Sequence, residues 1–365
     1  MIPNMSRPNF FEHLHPPTIP AREARFRYTF GLGGMSLLLF LSLVVTGVPL
    51  MFVYVPTAVS AGEAIRTITY VAPYGWLLRN LHYWAAVLLV LMGSLHLLRV
   101  ALSGSYKPPR RFNWLLGLIA LLFSLLLSFS GYVLRWDVDT FGALTVGANI
   151  VRQTPLVGNW LYELLVGGPL ISDVTVVRFY TWHTLGLSAP VLLLLGWHAF
   201  RVRRDGGISH KNEIGDERLQ NTQPSISTPR SSHLPRISRR ELVQREGVAM
   251  LALLCLLLGL ALFVDAPLAP QVDLVTGPAK AVTASIAAPW FFLWLQALLR
   301  HLPPVVAGII IPLAVIMALA LLPWLWDRSE TGTAVWLNRE GRLAQIVVLL
   351  ITAGIVFLTA WELWG

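Results

Sequence analysis

Residues 81–100 read LHYWAAVLLVLMGSLHLLRV, and residues 181–200 read TWHTLGLSAPVLLLLGWHAF. Both stretches are apolar and of membrane length, yet each carries two histidines. His82 and His96 lie fourteen residues apart, and His183 and His198 fifteen. At about 1.5 Å rise per residue, either interval separates two imidazoles by roughly 21 Å along a helix. That is close to four turns, so both rings of a pair fall on one side. Ionisable residues in hydrocarbon are costly and usually mark function. A lone membrane histidine is as often a simple hydrogen bond between helices. Two pairs at matching spacing make that bland reading weak.

Composition fixes the class. Of 365 residues, 55% are hydrophobic and 13% charged, which overrides the length-based prior of about two soluble domains. The chain reads as an all-α integral membrane protein. Seven stretches are long enough for a bilayer core of about 30 Å: residues 30–54, 78–101, 114–134, 178–200, 247–264, 304–326 and 343–363. Basic residues collect on one side of this pattern, at Arg22, Arg25 and Arg27, at Lys107, Arg110 and Arg111, at Arg201, Arg203 and Arg204, and at Arg328, Arg339 and Arg342. Seven spans then place the N-terminus in the cytoplasm and the C-terminus outside. The formal charge of +9 belongs mostly to these loops, so no nucleic-acid partner is expected. Cys255 is the single cysteine. It excludes an intrachain disulfide and a CxxCH haem attachment.

The expected organisation has four parts. Residues 1–29 are an interfacial segment without a signal-peptide pattern. Residues 30–204 form a four-helix unit, 205–245 a polar, Ser-, Pro- and Arg-rich cytoplasmic linker, and 246–365 a three-span unit. The connection 138–177 contains PLVGNWLYELLVGG and is too apolar for a solvated loop, so it is expected to cap a site near the outer face.

Two facing His–His pairs at two depths form the axial set that haem iron accepts when it carries electrons. Three arginines flank the histidines: Arg79, Arg99 and Arg178. Each can reach a haem propionate, although snorkelling at a helix end explains any one of them equally well. Glycines repeat the histidine interval. Gly33 and Gly47 are fourteen apart, as are Gly117 and Gly131. Such glycines usually serve helix packing, but their matching interval favours gaps for a macrocycle. The result is a four-helix haem-binding transmembrane bundle plus three further transmembrane helices. His13, His15, His210, His233 and His301 take solvated roles in this reading.

The segments FGLGGM, NLHYW…HLLRV, GYVLRWD, PLVGNWLYELLVGG and RFYTWH…WHAFRVRR resemble cytochrome b of the bc1/b6f family, with the fifteen-residue second interval of its b6 type. DAPL, APWFFLWLQALLRHLP and IPLAV resemble the three-span partner, subunit IV. The resemblance implies a fused diheme cytochrome b subunit of a quinol:cytochrome c or quinol:plastocyanin reductase in a bacterial cytoplasmic membrane. It implies two non-covalent haems b, with His82 and His183 on the outer iron and His96 and His198 on the inner one. Quinol would be oxidised at an outer site containing Tyr132, Trp290 and Phe291, and quinone would bind near the inner face. Implied partners are a Rieske iron–sulphur protein, a c-type cytochrome subunit or acceptor, and membrane lipids, in a homodimer within a multisubunit complex.

Two departures from the family pattern matter. Its outer quinol site carries Pro-Glu-Trp-Tyr, whose glutamate takes a proton, whereas this chain has Ala288-Pro289-Trp290-Phe291. Asp137 is then the nearest substitute base, unless it is held in a structural pair with Arg135. Gly31 stands where b6 proteins have a cysteine that fixes an extra haem, so no covalent haem is expected. Arg203 matches a residue that pairs with that haem's propionate, which leaves room for a third, non-covalent haem. Two other classes compete with the quinol-oxidising reading. One is a diheme electron wire of another redox complex with a degenerate outer site, and the other is a haem-free scaffold or transporter.

Overall fold

The structure, a computed structural model, describes residues 18–20, 26–205, 236–272, 288–333 and 335–364. Most of the expected N-terminal segment and linker, with His13, His15, His210 and His233, lies outside the described residues. Among the described residues, eleven helices of nine or more residues carry the fold: α1 Leu32–Met51, α2 Ala61–Tyr70, α3 Gly75–Leu102, α4 Arg111–Val133, α5 Val138–Arg152, α6 Gly158–Val166, α7 Asp173–Arg204, α8 Arg239–Phe263, α9 Leu293–His301, α10 Val306–Ala320 and α11 Arg342–Trp364. Six are long and apolar enough to cross a membrane, namely α1, α3, α4, α7, α8 and α11.

The stretch expected to span at 304–326 is less regular. Its helix α10 is shorter, and π-helical turns occupy Val306–Ile310 and Leu322–Trp326. Pro312 and Pro323 explain this, because each removes a backbone donor and crowds the preceding turn. A two-stranded antiparallel ladder was not foreseen. Strand β1, Thr18–Pro20, pairs with β2, Arg236–Ser238, directly before α8.

Within the bundle the closest packing is α1 on α3 and α4 on α7. Leu39, Phe40, Ala85, Leu88, Leu127 and Val191 bury the centre, and Leu253 and Leu257 of α8 join them. The C-terminal half therefore leans on the bundle itself. Beyond α8 the chain is laced to the bundle's loop-rich end, where α2, α5 and α6 lie. Asn80 uses both ends of its amide, donating to Ala261 O (3.0 Å) and Asp265 Oδ1 (3.1 Å) and accepting from Ala266 N (3.0 Å).

The opposite, basic end is fixed by a buried ion pair. Lys107 Nζ lies 3.1 Å from Asp327 Oδ2, both side chains 0% exposed. Lys107 also donates to Ser329 Oγ (2.7 Å), Thr331 O (2.6 Å) and Asn338 Oδ1 (3.2 Å), while Tyr106 donates to Asp327 Oδ2 (2.6 Å). Burial pushes the Asp327 carboxyl up, but hydrogen bonds from Ser329, Tyr106 and Lys107, with the Lys107 charge, outweigh it and hold it below its ordinary range. A depressed folded-state value stabilises above the unfolded carboxylate range, near 3.9. That contribution disappears as pH falls through the lowered value.

Breaking one side of a buried pair costs about 3–5 kcal/mol, whereas apolar replacement of both is often neutral. Lys107→Met should therefore destabilise the detergent-solubilised protein by that order, read as a drop in thermal midpoint. Lys107→Met with Asp327→Leu should recover most of the loss, and a double variant as weak as the single one would refute this account.

Candidate functional site

The four membrane histidines meet in two pairs. The rings of His82 (α3) and His183 (α7) have centroids 6.0 Å apart, and those of His96 and His198 6.4 Å. The unequal sequence intervals agree in space because α7 is not uniform. Residues Trp182–Gly186 form a π-helical turn, closed by Leu187 N donating to Trp182 O at 2.7 Å. A π turn takes up one extra residue. The fifteen-residue interval therefore spans the same turns as the fourteen-residue one.

Each ring is backed by its own glycine on the antiparallel neighbour. A Cβ added at Gly47 would lie 3.1 Å from His82 Cε1, at Gly33 3.2 Å from His96, at Gly117 3.1 Å from His198, and at Gly131 2.5 Å from His183. The glycines of the matched interval thus give room to the imidazoles.

Hydrogen bonds settle the tautomers at one level. Thr46 Oγ1 spends its proton on Ser42 O (2.7 Å), so toward His82 Nδ1 (3.0 Å) it accepts. His183 Nδ1 lies 3.1 Å from Leu127 O, a group that only accepts, and 3.2 Å from Ser130 Oγ, whose proton goes to Leu127 O. Both rings therefore carry hydrogen on Nδ1 and present a bare Nε2, the form that binds a metal. Thr46 and Ser130 went unnoticed in the sequence because a hydroxyl thirty or fifty residues away has no local signal.

With metal–imidazole bonds of about 2.0 Å on each side, ring centres near 6 Å apart suit one shared iron. Among the described residues no group of three or more His, Cys, Asp or Glu side chains gathers around a point. Among the described residues, two imidazoles face each other at either level, and a macrocycle bound between them would supply the remaining ligands. The residues present fit haem.

The flanking arginines are partly committed. Arg79 Nη1 donates to Ala266 O (3.1 Å) and Nη2 to Pro267 O (2.6 Å). Arg178 Nη1 donates to Glu163 O (2.9 Å) and Leu164 O at the end of α6. A guanidinium has five donors, which leaves some for an anion. Arg99 is buried on α3, 3.5 Å from Ser105 Oγ. Arg203 is exposed in the last turn of α7, and Gly31 precedes α1 at φ 65°.

At the loop-rich end, Trp290–Phe292 form a single 3-10 turn whose Phe292 ring meets Phe129 of α4 at 5.9 Å. Tyr132 lies three residues on, on the same face, with the Arg135 guanidinium 5.0 Å over its ring. Phe129 and Phe292 had not been singled out. Asp137 is 2% exposed and caps α5. Its Oδ1 accepts from Thr140 N (3.1 Å), and its Oδ2 from Arg135 Nε (2.7 Å), Arg135 Nη2 (2.7 Å) and Ala269 N (3.2 Å). Asp139 lies 3.6 Å from Arg135 with its side chain 43% exposed. Burial and the Asp137 charge push its carboxyl above the ordinary range, against the pull of Arg135.

Family comparison agrees with this geometry. The model described as "Cytochrome b/b6/petB" matches residues 21–206, just over half the chain, and "Cytochrome b(C-terminal)/b6/petD" matches residues 278–362. The chain belongs to the cytochrome b family. Cytochrome b6 of Cyanidium caldarium is 37% identical over 174 residues, covering 48% of this chain and 81% of the relative. Cytochrome b6 of Synechococcus sp. (strain JA-3-3Ab) is 35% identical over 175 residues, covering 48% and 81%. A solved chain of "Hyperthermophilic respiratory Complex III" shares the fold, with TM-score 0.68 at 21% identity over 92% of this chain and 91% of that one. This cytochrome b is an integral, multi-pass membrane protein that binds haem b.

Two predictions follow from the packing around the rings. Gly131→Ala should lower haem content, since its methyl would sit within 2.5 Å of His183. Gly196→Ala, with nothing within 4 Å, should leave pyridine-haemochrome values unchanged, and equal effects would sink the ring-gap account. Deleting Leu185 should convert the π turn to α-helix and retain haem. Deleting Val90 from regular α3 should swing His96 by about 100° and lose it, as seen in the dithionite-reduced spectrum.

Proposed function

We propose that this chain is the diheme subunit of a quinol-oxidising membrane complex and carries electrons across the bilayer between an outer quinol site and an inner quinone site. The observation that supports it best is the duplication of one ligand geometry at two depths, 6.0 and 6.4 Å between ring centres. Fourteen residues of helix separate the two levels by roughly 21 Å. Haem bound at each level supplies one-electron carriage. The protein's part is to present bare Nε2 atoms at the His82–His183 level, to clear space with glycine at both levels, and to shield both from water.

We read the basic end as cytoplasmic, with seven spans including α10, residues 30–204 as the bundle unit and 246–365 as the subunit-IV-like unit. His82 and His183 then stand at the outer level, His96 and His198 at the inner. The outer quinol site lies where Tyr132 and Phe129 face the Trp290–Phe292 turn, and one electron leaves there to a Rieske-type iron–sulphur partner and onward to a c-type cytochrome. The membrane is a bacterial cytoplasmic membrane, and the complex a homodimer. Two haems, neither covalent, are the proposed complement, and a third near Arg203 would have no thioether at Gly31. One observation favours the electron-wire alternative: residues 288–292 hold no carboxylate, and Asp137 has its oxygens engaged by four donors.

His96→Leu or His198→Leu removes one axial ligand of the same iron. Redox titration of either variant should show one b-type component where the wild type shows two, and it should be the same survivor in both. Different survivors would break the proposed pairing. Quinol-driven reduction of the haems in the wild type separates quinol oxidation from a wire fed by another donor.

A further inference from the structure

Oxidising a quinol releases two protons, and a general base at the site needs an oxygen lone pair that nothing else occupies. Asp137 does not offer one. Glu362, in the last turn of α11, does. Its side chain is 3% exposed, and its Oε1 is taken by Arg300 Nη2 at 2.5 Å and Gln296 Nε2 at 3.0 Å. Its Oε2 is buried and has no hydrogen-bond partner among the described residues. A buried acceptor left empty costs desolvation with nothing returned, and so calls for an explanation.

Gln296 links this carboxylate to the proposed quinol site. Its Oε1 accepts from Ala288 N at 2.5 Å, the first residue of APWFF, and the Trp290–Phe292 turn of that segment packs on α11. The same turn also meets Phe129, through Phe292. A carboxylate with one saturated oxygen and one open oxygen is thus tied to the segment that lacks a carboxylate of its own.

We propose that Glu362 is the proton acceptor of the outer quinol site, an inference that rests on the quinol-oxidising reading above. The O–H bond of one quinol hydroxyl breaks and an Oε2–H bond forms, while the electron pair stays on the quinol oxygen. The two electrons would leave singly, one to the iron–sulphur partner and one to the haem that His82 and His183 would hold, which leaves quinone. The other hydroxyl gives its proton to water at the outer face. Arg300 is 57% exposed and marks where Glu362 meets that water and resets. Gln296 is a positioning residue. Among the described residues, Arg300, from α9, is the charged group paired with Glu362. The 290–292 turn is aromatic, and residues 358–364 carry no other charge.

The test uses the intact complex in membranes and follows reduction of its haems by a short-chain quinol before steady state. Glu362→Gln should slow this reduction by about 100-fold, the lower end for loss of a general base. The wild-type rate should fall on acidification and that of Glu362→Gln should not, while the dithionite-reduced spectrum and both haem potentials stay unchanged. Glu362→Asp should restore the acid fall. Gln296→Leu, which keeps the carboxylate and its ion pair, should slow the reaction yet preserve the pH profile. If Glu362→Gln fails to assemble, a wild-type rate in Gln296→Leu refutes the proposal. A wild-type rate and pH profile in Glu362→Gln refutes it alone and leaves the quinol-oxidising function standing. A wild-type complex whose haems no quinol reduces overturns that function, and this proposal with it.

Discussion

A ring held between helices needs a hole opposite it. Helix axes pack about 8–10 Å apart, and an imidazole pointing across that gap meets the neighbour's backbone unless the facing position has no side chain. Gly33, Gly47, Gly117 and Gly131 supply those four holes, one for each histidine. Because the two contacts on each helix pair lie fourteen or fifteen residues apart, they also lock register. Sliding α1 along α3 by one residue would drive side chains into both rings at once. The pairs α1–α3 and α4–α7 are therefore fixed in register, and α8 packs against the bundle they form.

How much of this was readable in advance depends on distance along the chain. Equal intervals within one helix are a local pattern, so the histidines and glycines announced themselves. Their partnership across helices did not: only the fold shows that the glycines' nearest neighbours are imidazole carbons. The π turn at Trp182–Gly186 showed only as one extra residue in an interval. Nothing local distinguishes an insertion that bulges from one that rotates everything after it. Thr46 and Ser130 carry no pattern at all, and their role appears only when the fold sets their oxygens beside Nδ1.

The same limit governs the loop-rich end. Arg79, three residues before His82, reads in the sequence as a propionate partner or as a cation snorkelling at a helix end. The structure joins it to carbonyls 187 and 188 residues away, beside the Asn80 amide. These bonds make residues 264–271 a strap across the bundle, and they explain the conspicuous DAPL stretch as a docking segment. Buried arginine and asparagine on an apolar helix signal a polar partner, but composition alone cannot say which one.

Carboxylates illustrate why a role can leave its motif. A helix cap or a buried ion pair rewards saturation: Asp137 takes four donors and Asp327 takes bonds from Lys107, Tyr106 and Ser329, so each is fixed in place. Proton transfer asks for the opposite, an oxygen held in position by its twin yet open itself. That condition constrains where the oxygen sits, not which residue number delivers it. Helix α11 ends beside the 288–292 turn, so it can deliver a carboxylate there as well as the turn can. Once it does, Pro289 is free to rigidify the turn. The loss of a glutamate from one element and the presence of a half-saturated one on its neighbour are then two sides of the same packing arrangement.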